Sequence, residues 1–125
     1  MCSSDLFPSH DIWGETTVLL STPFIEVHKL LIKPNAFCSL HKHNFKWNGF
    51  YVISGKLMIE SHKNDYKLVD QTIINAGEFA SFPPGEQHKF MSFGEPVECL
   101  EIYYPEPLSE DIVRSTVGGM VNETK

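Results

Sequence analysis

A chain of 125 residues, 42% hydrophobic and 12% aromatic, has the size and composition of one globular domain that can bury its own core. Its formal charge of -6 and its single arginine, Arg114, argue against nucleic-acid and anionic-membrane partners, which need clustered Lys and Arg to displace counterions. No apolar run approaches membrane length, and residues 1–5 lack a basic region followed by an apolar stretch, so a cytoplasmic protein is expected.

Cysteines 2, 38 and 99 are odd in number and share no short spacing. Reduced thiols are therefore expected rather than a disulfide framework or a cysteine-based zinc site.

In chain order, residues 1–13 are irregular, with Pro8 and no periodicity, and are expected to lie against the domain or pair at a sheet edge. Residues 15–20 are rich in β-branched side chains and end before Pro23, which predicts a strand. Alternation predicts a second strand over 24–32, and Pro34-Asn35 a turn after it. A strand over 36–43 would carry His41 and His43, followed by a short loop and a hairpin of 49–53 and 56–61 about Ser54-Gly55. Further short strands are predicted over 66–69, 71–74, 78–82, 88–92 and 97–104, most of them separated by turn signals such as Asn75-Ala76-Gly77 and Pro83-Pro84-Gly85. This spacing predicts an all-β sandwich or barrel. Residues 109–114 are expected to form one helical turn with Ser109 as its N-cap, and 116–125 to fray.

Residues two apart in an extended strand project from one face, so His41 and His43 can turn both imidazoles into one cavity. Neutral imidazole is the commonest protein ligand for a divalent transition metal. A histidine pair alone is weak evidence, and a third ligand has to come from elsewhere. Residues 77–88 supply one in the spacing G-x5-P-x-G-x2-H, which runs from Gly77 through Pro83 and Gly85 to His88.

Together with His41, His43 and Gly55, this segment resembles the two motifs of the cupin family, G-x5-H-x-H-x(3,4)-E-x6-G and G-x5-P-x-G-x2-H-x3-N. The resemblance spans residues 35–92. It implies a double-stranded β-helix, the jelly-roll barrel, in which His41, His43 and His88 point into one end and hold a divalent transition metal such as Zn, Fe, Ni or Mn. Three departures stand out. Asn48 occupies the position of the family's glutamate ligand; its amide oxygen can coordinate a cation or hold water but brings no charge, and it counts here as a candidate fourth ligand. Asn35 takes the place of the opening glycine, where asparagine also tolerates left-handed dihedrals, and Ser92 takes that of the closing asparagine.

Glu101-Ile102-Tyr103-Tyr104 and the acidic-Ile-Val-Arg run at 111–114 are similar to the closing segment of the cupin domain of type II mannose-6-phosphate isomerases, and residues 51–55 to that family's Trp-x-Val-Val-Ser-Gly. Asn44 and Asn48 stand where that family has a basic and an acidic residue.

Strand parity sets Glu101 and Tyr103 on one face, and Leu100, Ile102 and Tyr104 on the other. If the apolar set packs the sheet, Glu101 faces solvent or the cavity, where a partly desolvated carboxylate could act as a general base. Tyr51 is assigned to packing, opposite in parity to Asn48, Phe50 and Val52. Lys46 is assigned to a solvated loop, His28 and His62 to surface or edge positions, and Phe79, Phe82, Phe90 and Phe93 to core or dimer contacts.

The expectation is a single domain over 1–125, with an N-terminal arm at 1–14 and a C-terminal segment at 105–125. It binds a metal and acts on a small polar ligand, a sugar or sugar phosphate, with isomerase-like chemistry. A three-histidine dioxygenase or lyase and a non-catalytic carbohydrate-binding module are the alternatives. Small cupins commonly cover their sheet edges by pairing, so a homodimer is expected.

Overall fold

The computed structural model describes residues 9–63, 68–105 and 114–121. Its described elements are nine strands: β1 (Ser9–Asp11), β2 (Gly14–Ser21), β3 (Glu26–Ile32), β4 (Trp47–Ser54), β5 (Lys56–Lys63), β6 (Leu68–Asn75), β7 (Phe79–Phe82), β8 (Gln87–Ser92) and β9 (Val97–Tyr104). All neighbours pair antiparallel, in a six-stranded sheet of order β1-β2-β3-β9-β4-β7 and a three-stranded sheet of order β6-β5-β8. This is the all-β jelly roll. No helix among the described residues is long and apolar enough to cross a membrane. The helical turn expected at 109–114 falls mostly outside the described residues.

Alternation builds the core. On β4, Asn48, Phe50 and Val52 are fully buried while Tyr51 faces outward; on β5, Leu57 and Ile59 alternate with half-exposed neighbours. Leu30 and Ile32 of β3, Ile74 of β6, Phe82 of β7, Phe90 of β8 and Val97 and Cys99 of β9 complete the apolar interior. Phe79 and Phe93 of the aromatic group lie largely exposed, in contrast to Phe82 and Phe90.

Several turns need residues that tolerate positive φ, among them those after β3 and β4. Gly55, at +87°, links β4 to β5 where a Cβ would meet the Pro96 carbonyl at 2.4 Å, and Asn35 adopts φ 54° in the turn after β3.

Four expectations are corrected. Residues 36–43 form no continuous strand; they run beside β8 through two isolated bridges, Phe37 with Met91 and His41 with His88. The register slips by one residue between these bridges, which is a bulge, and the Cys38 thiol sulfur accepts the Phe90 N–H at 3.2 Å within it. The two strands expected at 66–69 and 71–74 are one strand, β6, paired without interruption to β5 from Leu68 to Asn75. His28, expected at the surface, is 5% exposed on the inner face of β3. On β9 it is Val97, Cys99 and Glu101 that point inward, while Leu100 and Ile102 take the outer face. The apolar set of that strand therefore does not face the core.

Candidate metal centre

The bulged segment and β8 bring the three histidines together. His41 exchanges both backbone hydrogen bonds with His88, at 3.0 and 2.7 Å, and the Gly85 N–H of the Pro-Pro-Gly turn donates to the His43 carbonyl at 2.7 Å. The two sequence motifs thus hold each other's backbone in place. Ring centroids lie 5.0 Å apart for His41 and His43, 4.8 Å for His41 and His88, and 5.7 Å for His43 and His88. One nitrogen from each ring falls within 4.8 Å of the other two, close enough to share one ion.

The state of the rings suits ligation. Burial, with His41 and Lys46 adding to it, pushes the His43 imidazole down to about 4. Burial first and the neighbouring histidines second do the same for His88, also to about 4. Both are neutral at pH 7 and offer lone pairs. His41 Nδ1 donates to the Ser39 carbonyl at 2.8 Å, which leaves Nε2 as its donor atom for a metal. His43 Nε2 is buried without a hydrogen-bond partner; a buried polar atom left unpaired is costly, and a cation would satisfy it. The residues present fit a divalent transition ion.

Asn48 lies behind this trio, fully buried. Its Oδ1 accepts from His88 Nε2 at 2.8 Å and its Nδ2 donates to Glu101 Oε2 at 3.3 Å. For His88 to ligate through Nε2 it must release that bond, its proton passing to Nδ1, which faces the Glu86 carbonyl at 3.2 Å. The amide links the histidine wall to a second polar group. Glu101, 6% exposed, is held up to about 7 by burial, with hydrogen bonds from Tyr103 and Asn48 pulling the other way. A carboxyl group so tuned exchanges protons near neutral pH.

Across from Glu101 lies His28, paired to it in register between β3 and β9. His28 Nδ1 lies 3.8 Å from Glu101 Oε1, and Nε2 donates to Glu26 Oε1 at 3.1 Å. Burial lowers the His28 pKa, with Glu26 opposing. Sequence reasoning missed His28 and Glu26; the available signal was their shared parity with Leu30 and Ile32. A cavity of about 380 Å³ opens between these groups, lined among others by His41, His43, His28, Glu26, Glu101 and Tyr103. Lys46 is exposed but stands at this cavity with its ammonium 5.3 Å from the Tyr103 ring centre. Cys38 also lines it, but burial raises its thiol to about 11, so it is neither thiolate ligand nor nucleophile at neutral pH. His62 stays on the outer face of β5, half-exposed and bonded to Glu60 at 2.9 Å.

A barrel closed over a histidine trio defines a class of small β-barrel proteins, and comparison with known families agrees. The cupin domain model matches residues 28–103; the chain belongs to the cupin family. A curated relative, mannose-1-phosphate guanylyltransferase of Klebsiella pneumoniae, is 26% identical over 100 residues, covering 79% of this chain and 20% of the relative. The chain thus spans about a fifth of that protein's length. Among solved structures, an oxalate decarboxylase of Bacillus subtilis superposes with a TM-score of 0.72 at 19% identity, over 82% of this chain and 28% of that one. KdgF from Halomonas sp. gives 0.65 at 13% identity, over 78% of this chain and 84% of that one. At these identities the likeness extends to the fold.

Proposed function

We propose that this cupin binds a divalent transition metal through His41, His43 and His88 and catalyses an isomerase-like proton transfer on a small hydroxylated carbonyl compound of the sugar class. One observation carries the reading: His41 and His43 of the trio and the buried Glu101, a carboxyl poised at about 7, border the same cavity, with His88 buried behind them. The metal would supply Lewis acidity that polarises a carbonyl or hydroxyl oxygen. Glu101, as the carboxylate that Asn48 and Tyr103 steady, then takes a proton from one carbon and, as the neutral acid so formed, returns it to the neighbouring carbon. His28 and Glu26 orient the substrate on the opposite side. The match to a sugar-nucleotide enzyme supports a sugar ligand, and the Mn(II) centres of the Bacillus subtilis oxalate decarboxylase support a first-row metal.

Three neutral donors leave coordination positions open, which also suits a dioxygenase or lyase. The test uses the full chain loaded in turn with zinc, manganese, nickel and iron. Deuterium incorporated from solvent into a ketose or aldose, and lost in Glu101→Gln, is the expected result. Oxygen uptake without such exchange would replace isomerisation with oxygenase chemistry, and no bound metal together with an unaltered melting temperature would leave a non-catalytic binding module.

A further inference from the structure

Apart from its histidines, the cavity is bordered by more carboxyl groups than cations. Asp11, Glu26 and Glu101 contribute carboxyl groups, and Lys46 is the one lysine or arginine among the described lining residues. The chain's only arginine, Arg114, is exposed and is not among them. A phosphate monoester carries close to two negative charges at pH 7 and is normally met by arginine forks, lysines or a helix N-terminus. Among the described residues there is no helix to provide such a terminus. His28 adds no positive charge, since burial keeps its imidazole neutral while its Nε2–H is directed to Glu26.

Resting on the sugar reading above, we propose that the ligand of this cavity is an unphosphorylated polyhydroxy carbonyl compound. It lies with its carbonyl end at the trio and its hydroxyl groups against Glu26 and His28 on β3. The two walls differ in what they ask of it. The trio, once it holds a divalent ion, accepts an electron-rich oxygen. The opposite wall presents carboxyl oxygens, each carboxylate having about four acceptor sites, which hydroxyl hydrogens match and phosphate oxygens do not. A terminal phosphate on a ligand anchored at the trio would be driven toward Glu26 and Asp11 with only Lys46 to offset them. The volume of about 380 Å³ accommodates a compact ligand of monosaccharide size.

The test titrates the zinc-loaded full chain with three probes, a neutral hexose, the same hexose as its terminal phosphate ester, and inorganic phosphate, using ligand-detected NMR. The neutral hexose is expected to bind at least tenfold more tightly than its ester. Glu26→Gln is expected to narrow that gap by strengthening the ester, and His28→Gln to weaken the hexose. Melting curves and zinc content like those of the wild type establish that each variant is folded and loaded. An ester that binds as tightly as the hexose overturns this inference and leaves the sugar reading standing, as does a gap unchanged in Glu26→Gln. If neither hexose nor ester binds while zinc is retained, the sugar reading fails and this inference with it.

Discussion

The two ends of the barrel interior are built from the same strands and differ in kind. Along β3 the inward side chains pass from His28 to Leu30 and Ile32; along β4 from Asn48 to Phe50 and Val52; along β9 from Glu101 back to Cys99 and Val97. Register aligns the change, with His28 opposite Glu101, Leu30 opposite Cys99 and Ile32 opposite Val97. One end is a closed apolar core. The other is a row of polar groups, the buried His88, Asn48, Glu101 and His28 and the half-buried Glu26, linked side chain to side chain. Burying polar groups costs free energy even when they are bonded, and the apolar end supplies the stabilisation that offsets it. The barrel's apolar core and its polar site thus lie at opposite ends.

The largest effect should come from the apolar end. Phe50→Ala removes a fully buried ring that packs edge-on against Phe82 and Phe90. It is expected to cost about 3–5 kcal/mol in denaturant unfolding. A loss below 1 kcal/mol would mean that this end does not carry the fold.

At the polar end, His88→Ala should abolish stoichiometric metal and with it the metal-dependent rise in melting temperature. For the wild type that gain is about 2.7 kcal/mol at a metal concentration a hundred times Kd. Stoichiometric metal retained by the variant would remove His88 from the ligand set.

A third effect depends on pH. The folded-state pKa of Glu101 lies near 7, above the usual 4.5, so between those values the native state keeps a proton that the unfolded chain has lost. That contribution to stability declines as pH rises through the window. Glu101→Gln lacks it, and its stability relative to the wild type should climb by about 1 kcal/mol per pH unit mid-window. His43 and His88 act in the opposite sense: their folded pKa values lie near 4, below the usual 6.5, so they withdraw stability as pH falls from 6.5 toward 4. Metal-free unfolding curves across pH 4–8 measure both, and a pH-independent gap between Glu101→Gln and wild type would contradict the buried, protonated carboxyl.

The smallest effect is expected from Lys46→Ala. The residue is exposed, so stability should change by less than about 0.5 kcal/mol. Removing its charge should nevertheless raise the pKa values of His43 and His28, both of which it lowers. Imidazole NMR titration of the metal-free protein reads this directly, and unmoved values would detach Lys46 from the cavity.

Much of this plan was legible in local spacing. Gly55, the Pro-Pro-Gly turn and the short alternating runs mark where strands end, because φ > 0 and the missing proline N–H are properties of single residues. The predicted bounds of β9 match the observed strand, and the burial of Asn48, Phe50 and Val52 opposite an outward Tyr51 follows from parity. The strand expected at 36–43 was not legible as a bulge, since a one-residue slip depends on the β8 partner and on Cys38 inserting its sulfur there. His28 escaped notice because both parities of its strand carry apolar residues, Leu30 and Ile32 on one and Val27 and Leu31 on the other. Glu101 could be assigned to a face with Tyr103 but not to the inside, since its apolar neighbours Leu100 and Ile102 read equally well as core.

By itself the sequence determined the all-β class and the two motifs with His41, His43 and His88 at family spacing, because turn chemistry and strand period act over a few residues. Tertiary structure decided which face of each strand turned inward, and so brought His28 and Glu26 into the cavity with Glu101. It also placed Asn48 between His88 and Glu101 rather than leaving it a position in a pattern. Those assignments rest on register between strands distant in sequence, such as β3 with β9, and the choice between two faces that both carry apolar residues is made only when the barrel closes.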